Sequence, residues 1–371
     1  MKVAIVHYWL VNYRGGERVV EALCRIFPGA DLFTLVYDPR RMPETIRSHR
    51  IRTSFLQRMP GARRRYQPYL PLFPVAIEQF DLRGYDLVIS SEASVAKGVL
   101  TRPETLHVCY CHSPMRYAWD LYFDYLARDD VGPFKRRGIP WLMNWLRVWD
   151  VAASHRVDRF VANSENVRRR IMKHYRRESE VIHPPVPVDD YLLAEGPGEF
   201  YLSVGQLVPY KRVDLLVGVM NRLARPLVVI GDGPQLPAVR RLAGPTVKVL
   251  GWQPFSVVRE HLARARAFVF PGEEDFGMAP VEALASGRPV IALDRGGARE
   301  IVTDGATGIL FPEPTEESLA TAVERFEREP PGLAPAALRE RARAFDAPVF
   351  ERRIREFIES ALEEHRRLMR L

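Results

Sequence analysis

The densest chemistry in this sequence lies between Phe268 and Glu300. Glu274 and Glu282 have seven residues between them, and Phe276, Gly277, Met278 and Ala279 fall in that interval, ahead of Pro280. Pro280 suits a first helical turn, where its missing N–H has no partner anyway, and Val281, Ala283, Leu284 and Ala285 continue the pattern to Gly287, a C-terminal stop. The spacing therefore puts Phe276 to Ala279 at a helix start, whose free backbone N–H groups and dipole favour an anion. Gly277 offers no side chain to block a close approach. Glu274 falls in the loop before the helix and Glu282 in its first turn. Carboxylates repel a phosphate, so their partners would be neutral hydroxyls, such as those of a sugar and of a ribose. A sugar nucleotide has all three groups. The spacing alone also fits an acidic, solvated loop followed by a glutamate placed to suit the helix dipole.

Two apolar runs of strand length, Ala267–Phe270 and Val290–Leu293, hold this helix on either side. The whole string resembles the E-x7-E signature of retaining glycosyltransferases of GT-B architecture (family 4 type, group 1), a family that includes bacterial O-antigen and exopolysaccharide mannosyltransferases. Glu274-Asp275-Phe276-Gly277, Pro280-Val281-Glu282-Ala283 and the run from Ala285 to Ala292 follow its pattern. The resemblance implies an α/β protein with two Rossmann-like domains (the GT-B fold) facing each other across a cleft. The expected division is an acceptor-binding domain over 1–187, a nucleotide-sugar-binding domain over 188–347, and a C-terminal helix over 348–371 that crosses back to the first domain.

The rest of the chain reads as alternating strands and helices, which favours parallel sheets covered on both faces. Lys2–His7 is a strand, Asn12–Gly16 a glycine turn, and Glu17–Phe27 a helix with Val19, Val20, Leu23 and Ile26 inward. Gly15 and Gly16 let backbone approach a ligand; in the resembling family such a loop faces the donor. Further strands are expected at Leu32–Val36, Leu87–Ser90 and Val108–Cys111, with Phe160–Asn163 closing this half. His112 directly follows the third of these, at the strand end where open α/β sheets bind ligands, and in the family such a histidine contacts the donor sugar. His7 and His107 have weaker claims.

Prolines from Pro184 to Pro187 mark a linker. A second series then follows: strand Phe200–Val204, a loop with Gly205 and Gln206, a helix over Lys211–Leu223, strands Leu227–Ile230 and Val247–Leu250, and a loop at Gly251-Trp252 that would face the base and ribose. Lys211, at a helix start where the dipole disfavours a cation, hints at a bound anion. The family commonly clamps the diphosphate with an arginine and a lysine here; Gln206 holds the arginine place, and only Lys211 matches. The chain from Glu316 to Phe326 and from Ala336 onward is charged and helical, with a break at Pro348.

Charge is uneven. Residues 1–187 carry 30 Lys and Arg against 19 Asp and Glu, residues 188–371 carry 24 against 27, and the whole chain is +8. Seven arginines and no acid lie between Arg47 and Arg65, including Arg63, Arg64 and Arg65, and a second basic and aromatic stretch runs from Phe134 to Arg147 with Trp141 and Trp145. Basic residues beside large apolar ones suit an anionic membrane surface or a pyrophosphate-linked lipid acceptor. Trp141, Trp145 and Trp149 equally suit the buried stripe of a core helix. No apolar run is long enough for a membrane span, and the N-terminal apolar run is too short for a signal peptide, so the expected setting is cytoplasmic, peripheral at the inner membrane face. Cys24, Cys109 and Cys111 make no disulfide framework, and Cys109 and Cys111 lack zinc spacing.

The resemblance thus implies a hexosyltransferase without a metal or other cofactor, taking GDP-mannose, or UDP-glucose as runner-up, to a lipid-linked or oligosaccharide acceptor. Glu274, His112 and Lys211 would act at the reacting sugar and leaving diphosphate. Gly15, Gly16, Gly205, Gln206, Gly251, Trp252, Phe276, Gly277, Met278, Ala279 and Glu282 would bind the donor. A nucleic-acid-binding protein would explain the basic half but not two carboxylates beside an anion site. A glycosidase would explain the carboxylates but needs no nucleotide.

Overall fold

Val3, Ala4, Ile5 and Val6 are all buried because the strand they form, β1 (Val3–His7), is covered on both faces. Val3 and Ile5 enter one apolar cluster and Ala4 and Val6 another, the two-residue alternation of a strand between helix layers. The computed structural model describes residues 1–126, 133–196 and 198–369, without the side chains of residues 125 and 133–136. It contains two parallel sheets, each in its own compact unit: Met1–Pro184 with Phe350–Leu371, and Pro185–Val349.

The first sheet has seven strands in the order β3 (Ile51–Thr53), β2 (Asp31–Thr34), β1, β4 (Leu87–Glu92), β5 (Leu106–Cys111), β6 (Arg159–Ala162) and β7 (Ser179–Val181). The second has six, β10 (Val247–Gly251), β9 (Leu227–Ile230), β8 (Phe200–Val204), β11 (Ala265–Phe270), β12 (Val290–Leu293) and β13 (Gly308–Phe311). Each order grows outward from its first strand in one direction and then jumps to the other side, between β1 and β4 and between β8 and β11. Such switch points leave a crevice at the carboxyl ends of the strands, where ligands of open α/β sheets bind.

The long last helix, Ala347–Met369, packs with the first unit. Phe350, Ile354, Ile358, Ala361 and Leu362 join the cluster of Val19, Leu23, Tyr110 and Ile182, and Phe350 meets the Tyr110 ring edge-on at 5.7 Å. Arg353 pairs with Glu180 at 3.2 Å, and Arg159 pairs with Glu364.

The local reading needs correction at several points. β7, not the Phe160 strand, is one edge of the first sheet and β3 the other. The break expected at Pro348 falls just before it, after the short turn Arg343–Phe345, and Pro348 is the second residue of the last helix. The helix expected from Lys211 starts at Val213, because Arg212 adopts a left-handed backbone (φ 49°) and Lys211 ends a short 3-10 turn. The helix after Gly277 spans Met278–Ala285, so Glu282 is its fifth residue and belongs to the second turn.

The helix Pro133–Ser154 is fastened by buried charges. Lys97 Nζ contacts Asp150 and lies 3.6 Å from Glu92 Oε1, and all three side chains are inaccessible to solvent. Asp150 also accepts from Trp119 Nε1 and Tyr175 Oη, both at 2.8 Å. Burial disfavours the Lys97 charge, but the Asp150 and Glu92 carboxylates outweigh it and raise the lysine's pKa. Trp149 turns inward, donating to Glu78 at 2.9 Å, whereas Trp141 is 82% and Trp145 44% exposed. A core stripe therefore describes Trp149 alone among the three. The side chains of Phe134, Lys135 and Arg136 lie outside the described residues.

Candidate functional site

In the second unit, the loops after β8 and β11 meet at the switch point. The first carries Gly205 to Lys211 and the second Pro271 to Gly277. Lys211 Nζ lies 2.7 Å from Glu274 Oε1, with each side chain 19% exposed. The contact is off the line of a hydrogen bond, and Glu274 Oε1 is a buried acceptor without a hydrogen-bond partner.

Close backbone packing shapes this corner. A Cβ on Gly205 would come within 2.9 Å of Lys211 Nζ, and one on Gly272 within 2.5 Å of Lys211 Cα. Gly296 and Gly297, after β12, brace the acidic loop: Gly297 N donates to Glu274 O at 3.0 Å, and a Cβ on Gly296 would stand 2.2 Å from the same oxygen. These two glycines were missed in the sequence, because their contact depends on the pairing of β11 with β12. Gly277 caps the helix Met278–Ala285 with φ 92°, a conformation in which a side chain is strained. Its neighbours Met278 and Ala279 are the first two helical residues, where N–H groups lack helical acceptors. Phe276 contributes backbone only; its ring is buried against Phe345. Glu282 is 8% exposed. Gly251 O accepts from Gly231 N at 2.8 Å at the end of β10, Gln206 follows Gly205 in the β8 loop, and Trp252 is 72% exposed.

The first unit builds a second cluster at its own switch point. His7 ends β1, and its partner in register on β4 is Ser91. His112 follows β5 and donates its backbone N–H to Glu92 O at 2.8 Å. Ser91 Oγ lies 3.0 Å from His7 Nδ1 and 2.7 Å from His112 Nε2. Glu17 Oε1 is 3.7 Å from His7 Nε2, and Glu17 Oε2 accepts from Arg14 N at 3.0 Å. Gly15 and Gly16 open the helix Gly15–Ile26, and a Cβ on Gly16 would lie 2.9 Å from Tyr8 Oη and 3.7 Å from His112 Nε2. Burial, and then the His7 ring, push the His112 pKa down to about 3, which favours the neutral imidazole. His112 thus sits where expected, and His7 belongs beside it. Ser91 and Glu17 were not anticipated: Ser91 pairs with His7 across 84 residues, and Glu17 meets His7 only through the packing of the first helix on β1.

The arginine run is less uniform than its sequence suggests. Arg47 pairs with Glu44 at 2.5 Å, and Arg52 approaches Asp31 at 3.7 Å, so acids outside the run neutralise part of it. Arg63, Arg64 and Arg65 are exposed, and Arg63 and Arg64 line a shallow cleft of 420 Å³ with Arg40, Gln57 and Met59. Among the described residues, no group of three or more His, Cys, Asp or Glu is placed to hold a metal, and no helix is long and apolar enough to cross a membrane. Cys24, Cys109 and Cys111 are buried and free.

Two Rossmann-like units, each with a polar cluster at its switch point, define a GT-B protein. The chain matches the Glycosyltransferase Family 4 model over residues 13–190 and the Glycosyl transferases group 1 model over residues 192–345, and it belongs to this glycosyltransferase family. It is 40% identical over 138 residues to a GDP-mannose-dependent alpha-mannosyltransferase of Mycobacterium tuberculosis, covering 37% of this chain and 36% of that protein. It is 30% identical over 158 residues to an uncharacterized glycosyltransferase of Methanocaldococcus jannaschii, covering 41% and 45%. The matches thus span less than half the length of these curated relatives. Among solved structures, Anabaena HepE in complex with UDP superposes with a TM-score of 0.69 over 97% of this chain and all of that one, at 16% identity.

Proposed function

We propose that the protein is a retaining hexosyltransferase that moves an α-mannosyl group from GDP-mannose to a lipid-linked or oligosaccharide acceptor in cell-surface polysaccharide synthesis. The observation that carries this reading is the Glu274–Lys211 pair beside the Gly277 cap. It combines a cation, a helix start and a buried carboxylate oxygen with unused acceptor capacity. Lys211 and the N–H groups at the helix start stabilise charge growing on the departing diphosphate, where preorganised electrostatics contribute most. Glu274 accepts from sugar hydroxyls, Glu282 holds the ribose, and His112 contacts the sugar. The acceptor hydroxyl is the nucleophile, and no metal is required. The mannosyltransferase relative supports GDP-mannose. UDP-glucose is the second reading, favoured by the UDP held in the structurally similar HepE. We place the enzyme at the inner face of an anionic membrane, through Arg63, Arg64, Arg65, Trp141 and Trp145.

A thermal-shift screen of nucleotide sugars tests this reading, because a ligand of the folded state raises the melting temperature. GDP-mannose should give the largest rise. A larger rise with UDP-glucose would reassign the donor, and no response to any nucleotide sugar, with stabilisation by DNA instead, would overturn the function.

A further inference from the structure

We propose that Glu17, His7 and Ser91 are positioning residues that hold His112 in one tautomer, with Nε2 protonated and Nδ1 presented as an acceptor to a hydroxyl of the bound sugar. The proposal rests on the reading above that His112 contacts the donor sugar.

A serine hydroxyl between two neutral imidazoles has one proton, so it donates to one ring and accepts from the other. Two arrangements follow. In one, His112 Nε2–H donates to Ser91 Oγ, Ser91 donates to His7 Nδ1, and the His7 proton sits on Nε2, facing Glu17 Oε1 at 3.7 Å. In the other, every proton moves one place along, and the His7 Nε2 lone pair faces the Glu17 carboxylate. That contact is repulsive. His7 Nε2 is buried and makes no hydrogen bond, so Glu17 is the group that decides its state. Glu17 cannot swing away easily: it is 4% exposed, and its other oxygen holds Arg14 N. The first arrangement therefore prevails, and it leaves the lone pair of His112 on Nδ1.

The surroundings keep the rings in place. The Tyr8 ring lies 4.0 Å from that of His7, and the Tyr110 ring 5.2 Å from that of His112. Gly16 closes the remaining side with bare backbone. His112 itself is half-buried, and its ring bonds to Ser91 through Nε2, so Nδ1 remains for a ligand.

Nitrogen-15 spectra of the full chain with labelled histidine, recorded at pH 8 without ligand, test the tautomers directly. The expected result is two neutral rings, each protonated on Nε2, with a slowly exchanging His112 Nε2–H signal. Ser91→Ala should abolish that protection and Ser91→Thr, which keeps the hydroxyl, should retain it. Protonation of His112 on Nδ1, a charged His7, or protection indifferent to Ser91→Ala would overturn the relay. Should Ser91→Ala fail to fold, the wild-type and Ser91→Thr spectra still decide. For the sugar contact, calorimetry compares GDP-mannose with GDP, and UDP-glucose with UDP. Ser91→Ala should lower the sugar-dependent gain in affinity about fivefold, the order of one hydrogen bond, and leave the bare nucleotide unaffected. An unchanged ratio beside the expected spectra would keep the tautomer and remove His112 from the sugar, which separates failure of the donor reading from failure of the relay.

Discussion

Lys211 Nζ and Glu274 Oε1 stand 2.7 Å apart because each residue lies in the loop after one of two neighbouring strands, β8 and β11, at the point where the strand order turns back. The pair is only partly buried and lacks hydrogen-bond geometry, so it is poorly placed as a structural fastening. It leaves the lysine donors and one carboxylate oxygen available to groups that bring better geometry. A diphosphate and a sugar hydroxyl would each satisfy one partner.

Lys211→Ala should lower kcat by roughly 100-fold or more while changing the donor KM only a few-fold, since its charge matters most as the diphosphate departs. Steady-state kinetics with GDP-mannose measure both. A loss confined to KM would make Lys211 a ground-state contact instead.

Glu282→Ala should weaken binding of GDP or UDP by at least about 1 kcal/mol, the order of a hydrogen bond to a charged group. Titration calorimetry reads this directly. An unchanged dissociation constant would take Glu282 out of the nucleotide site and leave it as a buried helix residue.

Acid should destabilise the fold through His107. This ring is fully buried, Ser90 Oγ lies 2.8 Å from its Nε2, and burial pushes its pKa down to about 4. An unfolded histidine titrates near 6.5, so between these values the unfolded chain binds a proton that the folded chain refuses. Stability therefore falls as pH drops through that window, by up to about 3 kcal/mol at its lower end. Urea unfolding at several pH values should show the decline in wild type and a flatter profile in His107→Gln. Parallel profiles would mean that other groups carry the acid sensitivity.

Changing Arg63, Arg64 and Arg65 together to Ser should release the protein from anionic vesicles and leave nucleotide-sugar binding intact. Each basic side chain near such a surface contributes about 1 kcal/mol, screened within about 8 Å at physiological salt. Flotation at low and high salt decides it. Wild type that stays unbound to anionic vesicles at every salt concentration would leave the arginines as a soluble acceptor site or a solvated face.

Strands rich in apolar residues were legible from sequence to the residue: Phe200–Val204, Leu227–Ile230 and Val290–Leu293 match the observed β8, β9 and β12. The short β3 and β7 were not, since Ile-Arg-Thr and Ser-Glu-Val are half-buried edge segments without an apolar run. Pro348 marked the start of the last helix to within one residue, because proline breaks a helix interior but suits its first turn. Among the candidate site residues, Glu274, Glu282 and His112 stand out in sequence because their types and neighbours are local features. The ion pair of Lys211 with Glu274, and the link from His112 through Ser91 to His7, arise from strand order, which no local pattern encodes.

The last helix also orders events during synthesis. The first unit emerges from the ribosome early, yet the side chains of Phe350, Ile354 and Ile358 that complete its apolar cluster are made after residues 185–349. At about 5–20 residues per second, the nascent sheet waits roughly ten to thirty seconds with Val19, Leu23 and Tyr110 incompletely covered. The half of the chain that is made first therefore cannot complete its apolar cluster until the second unit has been made, and in that interval its uncovered face is open to chaperones and to aggregation.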